Sequence, residues 1–124
     1  VINRFARTDE TVRIDLREFD GSDDWVEVRA ALSWGDMLAV RKASMPRATA
    51  SPGTPEMEVQ IDVGARSLEL LARAIVRWSF RAAEGDPAPL PVSRDLITKL
   101  DARLADWLAE RVDSLYGEGS RAGA

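Results

Sequence analysis

The segment Gly85-Asp86-Pro87-Ala88-Pro89-Leu90-Pro91-Val92 constrains this chain more than any other. Its three prolines alternate with small or apolar residues, so fixed φ angles hold the backbone nearly extended and no helix runs through it. Ser93 follows, placed to accept a hydrogen bond from an N–H that the next helix leaves free, and Asp95 lies in the first turn, where the helix dipole favours a negative charge. Upstream, the stretch ending in Arg77-Trp78-Ser79-Phe80 has helical spacing. The expectation is a stiff corner that sets the angle between two helices.

A chain of 124 residues is long enough for one domain with a real core. The longest apolar runs fall far short of a bilayer span, and no membrane partner is expected. The start, Val1-Ile2-Asn3-Arg4-Phe5, shows neither an initiator Met nor a signal-peptide pattern, so a few residues are expected before Val1. With no cysteine, disulfides, thiolate metal sites and thiol nucleophiles are excluded, and a cytoplasmic location fits best. With no histidine, the commonest metal ligand and neutral-pH proton carrier is missing. A net charge of −4 opposes binding by phosphate neutralisation, so no nucleic-acid partner is expected.

Along the chain, Val12, Ile14 and Leu16 alternate with Arg13, Asp15 and Arg17, which predicts a strand over 11–18. Trp25–Arg29 predicts a second over 25–29, joined to the first by a hairpin through Phe19-Asp20-Gly21-Ser22-Asp23-Asp24. The acidic residues of that turn lack the spacing of a calcium loop. Ser33 opens a helix over 34–45, and Pro46 stops it. Residues 46–55 are small, polar and proline-rich, a mobile loop. Met57, Val59, Ile61 and Val63 predict a third strand over 57–63. A long helix is expected over 65–81 and helical sequence over 94–116, with Asp101 able to restart it as two shorter helices. The fold class is therefore α+β, a small three-stranded antiparallel-type sheet packed against three or four helices. The single domain spans 1–116, and 117–124 is a disordered tail.

No catalytic, cofactor-binding or metal-binding residue stands out. Glu58, Asp62 and Glu69 alternate with apolar neighbours and are expected on solvated faces. An enzymatic reading would make Glu58 and Asp62, with a nearby lysine or arginine, a magnesium-dependent nuclease site, and no converging polar cluster supports it. Arg66, Arg73, Arg77 and Arg81 form a partial basic edge, with Glu69 placed four before Arg73 for a surface pair. The four tryptophans carry most of the binding potential, since large amphipathic rings dominate both small cores and interfaces. Trp78 and Trp107 are expected to meet where their helices pack, and Trp34 beside Gly35 is open to either role. The candidate partner-binding residues are Trp34, Trp78, Phe80, Trp107, Leu115 and Tyr116, which would line a groove for an amphipathic helix if the sheet leaves the last helix partly uncovered.

The order Trp25-Val26-Glu27-Val28-Arg29, Leu32-Ser33-Trp34-Gly35-Asp36, a helix closing on Trp78-Ser79-Phe80, then Leu90-Pro91-Val92-Ser93 and Leu96-Ile97-Thr98-Lys99-Leu100 resembles the tail assembly chaperones of long-tailed, siphovirus-type bacteriophages, particularly those of actinobacterial hosts. The likeness covers roughly Trp25 to Leu115 and rests on order and spacing. The Pro46–Pro55 stretch is not part of it. It implies a non-enzymatic protein without cofactor in the host cytoplasm, which binds the tape measure protein, brings in the major tail tube protein, and leaves before the virion matures. A structural protein of the tail or head-tail junction is the alternative. Self-association is a further expectation, since a small open sheet leaves an unpaired edge.

Overall fold

The computed structural model describes residues 4–45 and 62–121, with side chains in the last helix described as far as Gly117. The elements run β1 (Thr11–Asp15), α1 (Arg17–Asp20), β2 (Trp25–Arg29), α2 (Trp34–Ser44), α3 (Val63–Ala74), β3 (Ile75–Trp78), α4 (Arg94–Thr98) and α5 (Ala102–Arg121). A three-stranded antiparallel sheet of order β1-β2-β3 packs against helices, an α+β fold. The loop expected at 46–55 lies outside the described residues.

The hairpin follows from its alternation. Ile14 pairs with Val26 and Val12 with Val28, which puts the apolar residues on one face and Thr11, Arg13 and Asp15 on the other. The first strand is shorter than the expected 11–18. Leu16 is buried, its carbonyl accepts from the N–H groups of Phe19 and Asp20 at 2.9 Å, and the chain closes one helical turn. Gly21 ends that turn at φ 75°, a conformation glycine adopts without steric cost.

The strand expected over 57–63 falls for the most part outside the described residues, and Asp62 and Val63 begin a helix: Asp62 caps α3 by accepting from the Ala65 N–H at 2.9 Å. The sheet is completed by β3, inside the segment expected as helix to residue 81. The helix ends at Ala74, and Ile75 turns extended at φ −74° and ψ 124°. The β-branched pair Ile75-Val76 favours that switch. A bulge opposite Glu27 and Val28 lets Val28 pair with Ile75 and Val26 with Trp78, so both Ile75 and Trp78 face inward although they are three residues apart.

The proline segment is the expected corner, but it joins a strand to a helix. Trp78 Nε1 donates to the Leu90 carbonyl and Leu90 N–H donates to the Phe80 carbonyl, both at 2.8 Å, which ties the corner to β3. Ser93 Oγ accepts from the Leu96 N–H at 3.1 Å and starts α4. Asp101 accepts from the Arg103 N–H at 2.9 Å and starts α5, so the C-terminal helical region is two helices. The backbone of α5 stays helical to Arg121, beyond the expected end at Tyr116, and residues 122–124 lie outside the described residues. Val26, Val28, Val40, Leu70, Leu71, Trp78, Ile97, Leu108 and Val112 form the centre of the core, and no charged or polar residue is buried among the described residues.

Candidate functional site: the outer face of the second helix

The placement of α2 begins with Ser33, whose Oγ accepts from the Asp36 N–H at 3.1 Å. The Asp36 carboxylate reaches across to α3, where Arg73 Nη1 donates to it at 2.7 Å. Arg73 Nε also donates to Glu69 at 2.7 Å, and Arg94 donates to the other Glu69 oxygen at 2.8 Å. One chain of charge-assisted bonds thus holds α2, α3 and the start of α4 together. Glu69 makes the expected pair with Arg73, but its side chain is only 14% exposed and stands between two guanidiniums instead of on a solvated face.

Those contacts set the acid response. Hydrogen bonds from Arg94 and then Arg73 hold the Glu69 carboxyl below its ordinary value of 4.5. At Asp36 desolvation pushes upward, and the hydrogen bonds from Arg73 and Ser33 outweigh it, so its value falls below the ordinary 3.8. A folded-state pKa lowered in this way adds stability that is present above the unfolded value and disappears as pH falls through the folded one. Thermal midpoints measured down a pH series are therefore expected to hold level near neutrality and to decline below about 4.5, the ordinary Glu value. For Asp36→Asn the decline is expected to be shallower.

The basic edge does not survive as a free surface. Arg66 makes a bidentate pair with Asp113 at 2.8 and 2.9 Å, and Arg77 makes one with Glu27 at 3.0 and 3.1 Å. Arg81 donates to the Asp86 carbonyl at 2.7 Å. Asp62 is a helix cap, and Glu58, the other carboxylate of the nuclease reading, lies outside the described residues. Among the described residues there is no group of acidic side chains that could hold a metal ion.

The aromatic candidates divide by burial. Trp78 is 3% exposed, its indole N–H is satisfied by Leu90, and its ring packs on Phe80 at 5.2 Å between centroids. Trp107 is half-buried against Phe19 at 5.4 Å, with the Arg111 guanidinium 5.2 Å from its ring centroid. The ring contacts are therefore Trp78–Phe80 and Trp107–Phe19 in place of the expected Trp78–Trp107, because Trp78 sits on a strand. Leu115 packs against the core, and the Tyr116 hydroxyl donates to the Arg29 carbonyl at 2.9 Å. Burial pushes the Tyr116 phenol up to about 12. These residues pack the last helix onto the sheet, and beside them an open groove remains between Arg111, Ser114 and Leu115 of that helix and Val12 and Ile14 of β1.

Trp34 is different: it is 76% exposed. Leu38, one turn on, and Met45, at the helix end, lie on the same side of α2, at 42% and 68% exposed. Val63 joins them at the start of α3, which the Asp62 N–H holds to the Ser44 carbonyl at 2.9 Å. Arg41 and Lys42 are exposed beside this stripe, and no carboxylate meets either one among the described residues. Val40 alone of this helix is buried. Sequence reasoning found Trp34 but missed Leu38, Met45 and Val63; the signal for Leu38 and Met45 was their i+4 and i+11 spacing from Trp34, on the side opposite Val40, and no spacing marks Val63. The face is an exposed apolar stripe with two cations at its edge that meet no carboxylate among the described residues.

No family model matches the chain, and no curated protein or solved structure matches it either. No helix among the described residues is long and apolar enough to cross a membrane.

Proposed function

We propose that this chain is a non-enzymatic tail assembly chaperone of a long-tailed bacteriophage, which binds the tape measure protein in the host cytoplasm and promotes tail tube assembly. The observation that carries this reading is the exposed stripe Trp34–Leu38–Met45 with Val63, flanked by Arg41 and Lys42. Such a face suits a long amphipathic client helix whose apolar positions cover the stripe and whose carboxylates meet the two cations. Held in that way, a client rich in helix keeps its apolar side out of water until tail tube subunits replace the chaperone. The sequence order from Trp25 to Leu100 supports the same assignment.

The test is co-expression with the tape measure protein from the same genome. The client is expected in the soluble fraction only when this chain accompanies it, and equal precipitation with and without it would defeat the proposal. Mass spectrometry of purified particles distinguishes the structural alternative, since a chaperone is absent from mature virions and a tail or head-tail junction protein persists in them.

A further inference from the structure

β1 is an edge strand, and the phase of its hydrogen bonds is fixed at both ends of the β1–β2 ladder. Ala30 N–H donates to the Glu10 carbonyl at 2.7 Å, and Leu16 N–H donates to the Asp24 carbonyl at 2.9 Å. In an antiparallel pair the bonded residues alternate, so Glu10, Val12, Ile14 and Leu16 bond towards β2. The N–H and C=O groups of Thr11, Arg13 and Asp15 therefore point away from the sheet. Beside this edge, on the inner face, Val12 and Ile14 form an open groove with Arg111, Ser114 and Leu115.

The side chains along the edge carry complementary charge two residues apart. Arg13 lies over the Trp25 ring at 4.1 Å and acts on its cross-strand neighbour Glu27 only through its field, without an ion-pair contact, since the Glu27 oxygens are held by Thr11 and Arg77. Asp15 has no cationic partner among the described residues either. Charges on an edge strand commonly discourage pairing with another chain. Opposite charges in this spacing become attractive when the incoming strand is an antiparallel copy.

We propose that a second copy of this chain adds its β1 antiparallel to this edge, about a two-fold axis at Ile14. Three axes use the outward-pointing backbone groups within Thr11–Asp15. An axis at Arg13 sets two arginines opposite each other, and an axis at Val12 sets Arg13 against the threonine. The axis at Ile14 sets each Arg13 opposite an aspartate and the two Ile14 side chains together over the groove, and opposite-charge cross-strand pairs are the favourable ones. The result is a continuous six-stranded sheet across the dimer, twice the three strands of one chain. This surface is separate from the α2 face, so a dimer presents two client-binding stripes.

Sedimentation equilibrium of the full chain across the micromolar to millimolar range tests this. The average mass is expected to rise from monomer to dimer with concentration, and less so at high salt, where exposed charge pairs are screened. Asp15→Arg sets arginine opposite arginine and is expected to weaken association by about tenfold or more. The double variant Arg13→Asp with Asp15→Arg restores opposite charges and is expected to return to within about threefold of the parent. Arg13→Pro deletes an N–H that β2 does not use, so it is expected to remain monomeric with a thermal midpoint close to the parent's. A chain that stays monomeric throughout, or one whose association ignores both Asp15→Arg and its charge-swapped partner, overturns the proposal.

Discussion

Trp78→Ala is expected to cost about 3 to 5 kcal/mol of unfolding free energy, which is a large share of what a domain of this size has. The ring is the largest side chain in the core and touches its structure in two ways. It fills the space between β3 and the helices beside Phe80, and its indole N–H holds the Leu90 carbonyl of the proline corner at 2.8 Å. Removing it leaves a cavity and at the same time takes away one of the corner's two ties, the other being the Leu90 N–H on the Phe80 carbonyl. In denaturant melts the midpoint should move strongly while the slope stays near the parent's. Trp78→Phe separates the two effects, since it keeps most of the volume and loses the donor. A loss for Trp78→Ala no larger than that of an exposed substitution, within about 0.5 kcal/mol, would show that the packing described here is wrong.

Trp34→Asp is expected to do the reverse. The side chain is solvent-facing, so unfolding stability should stay within about 0.5 kcal/mol of the parent. If the proposed function holds, binding of the tape measure client should weaken by about 2 kcal/mol or more, since an exposed tryptophan on an apolar stripe is the kind of residue that dominates an interface. Pull-down with the co-expressed client, or titration against a peptide from it, reads the loss. Leu38→Asp on the same face should act in the same direction, whereas a change on the opposite, sheet side of the molecule should not. If the Trp34 and Leu38 variants hold the client as well as the parent does, the α2 face is not the docking surface.

Local features were readable wherever the physics is local. The hairpin needed only alternation and a turn, the Ser33 and Ser93 caps needed only a hydroxyl before a helix, and Asp101 restarted the last helix as its position implied. The segment from Ile75 to Trp78 was misread for a definable reason. A β-bulge adds one residue to the strand, so its two inward side chains recur at a spacing of three, which on paper is a helical repeat. Preceding them is a true amphipathic helix, and the two patterns join without a break at Ala74 and Ile75.

The candidate site followed the same division. Trp34 and Trp78 have the same side-chain chemistry, yet one faces water and the other is sealed in the core. The amino-acid order by itself determined the fold class, the hairpin, the helix starts at Ser33, Ser93 and Asp101, the stiff corner and the lack of cysteine and histidine chemistry, because each depends on residue identity or on neighbours within a few residues. Only the tertiary structure decided which segment completes the sheet, that Arg66, Arg73 and Arg77 are spent on carboxylates from distant elements, and which aromatic ring is left outside. Those outcomes depend on which groups long-range packing brings together, and burial is a property of the assembled layers that no local pattern contains.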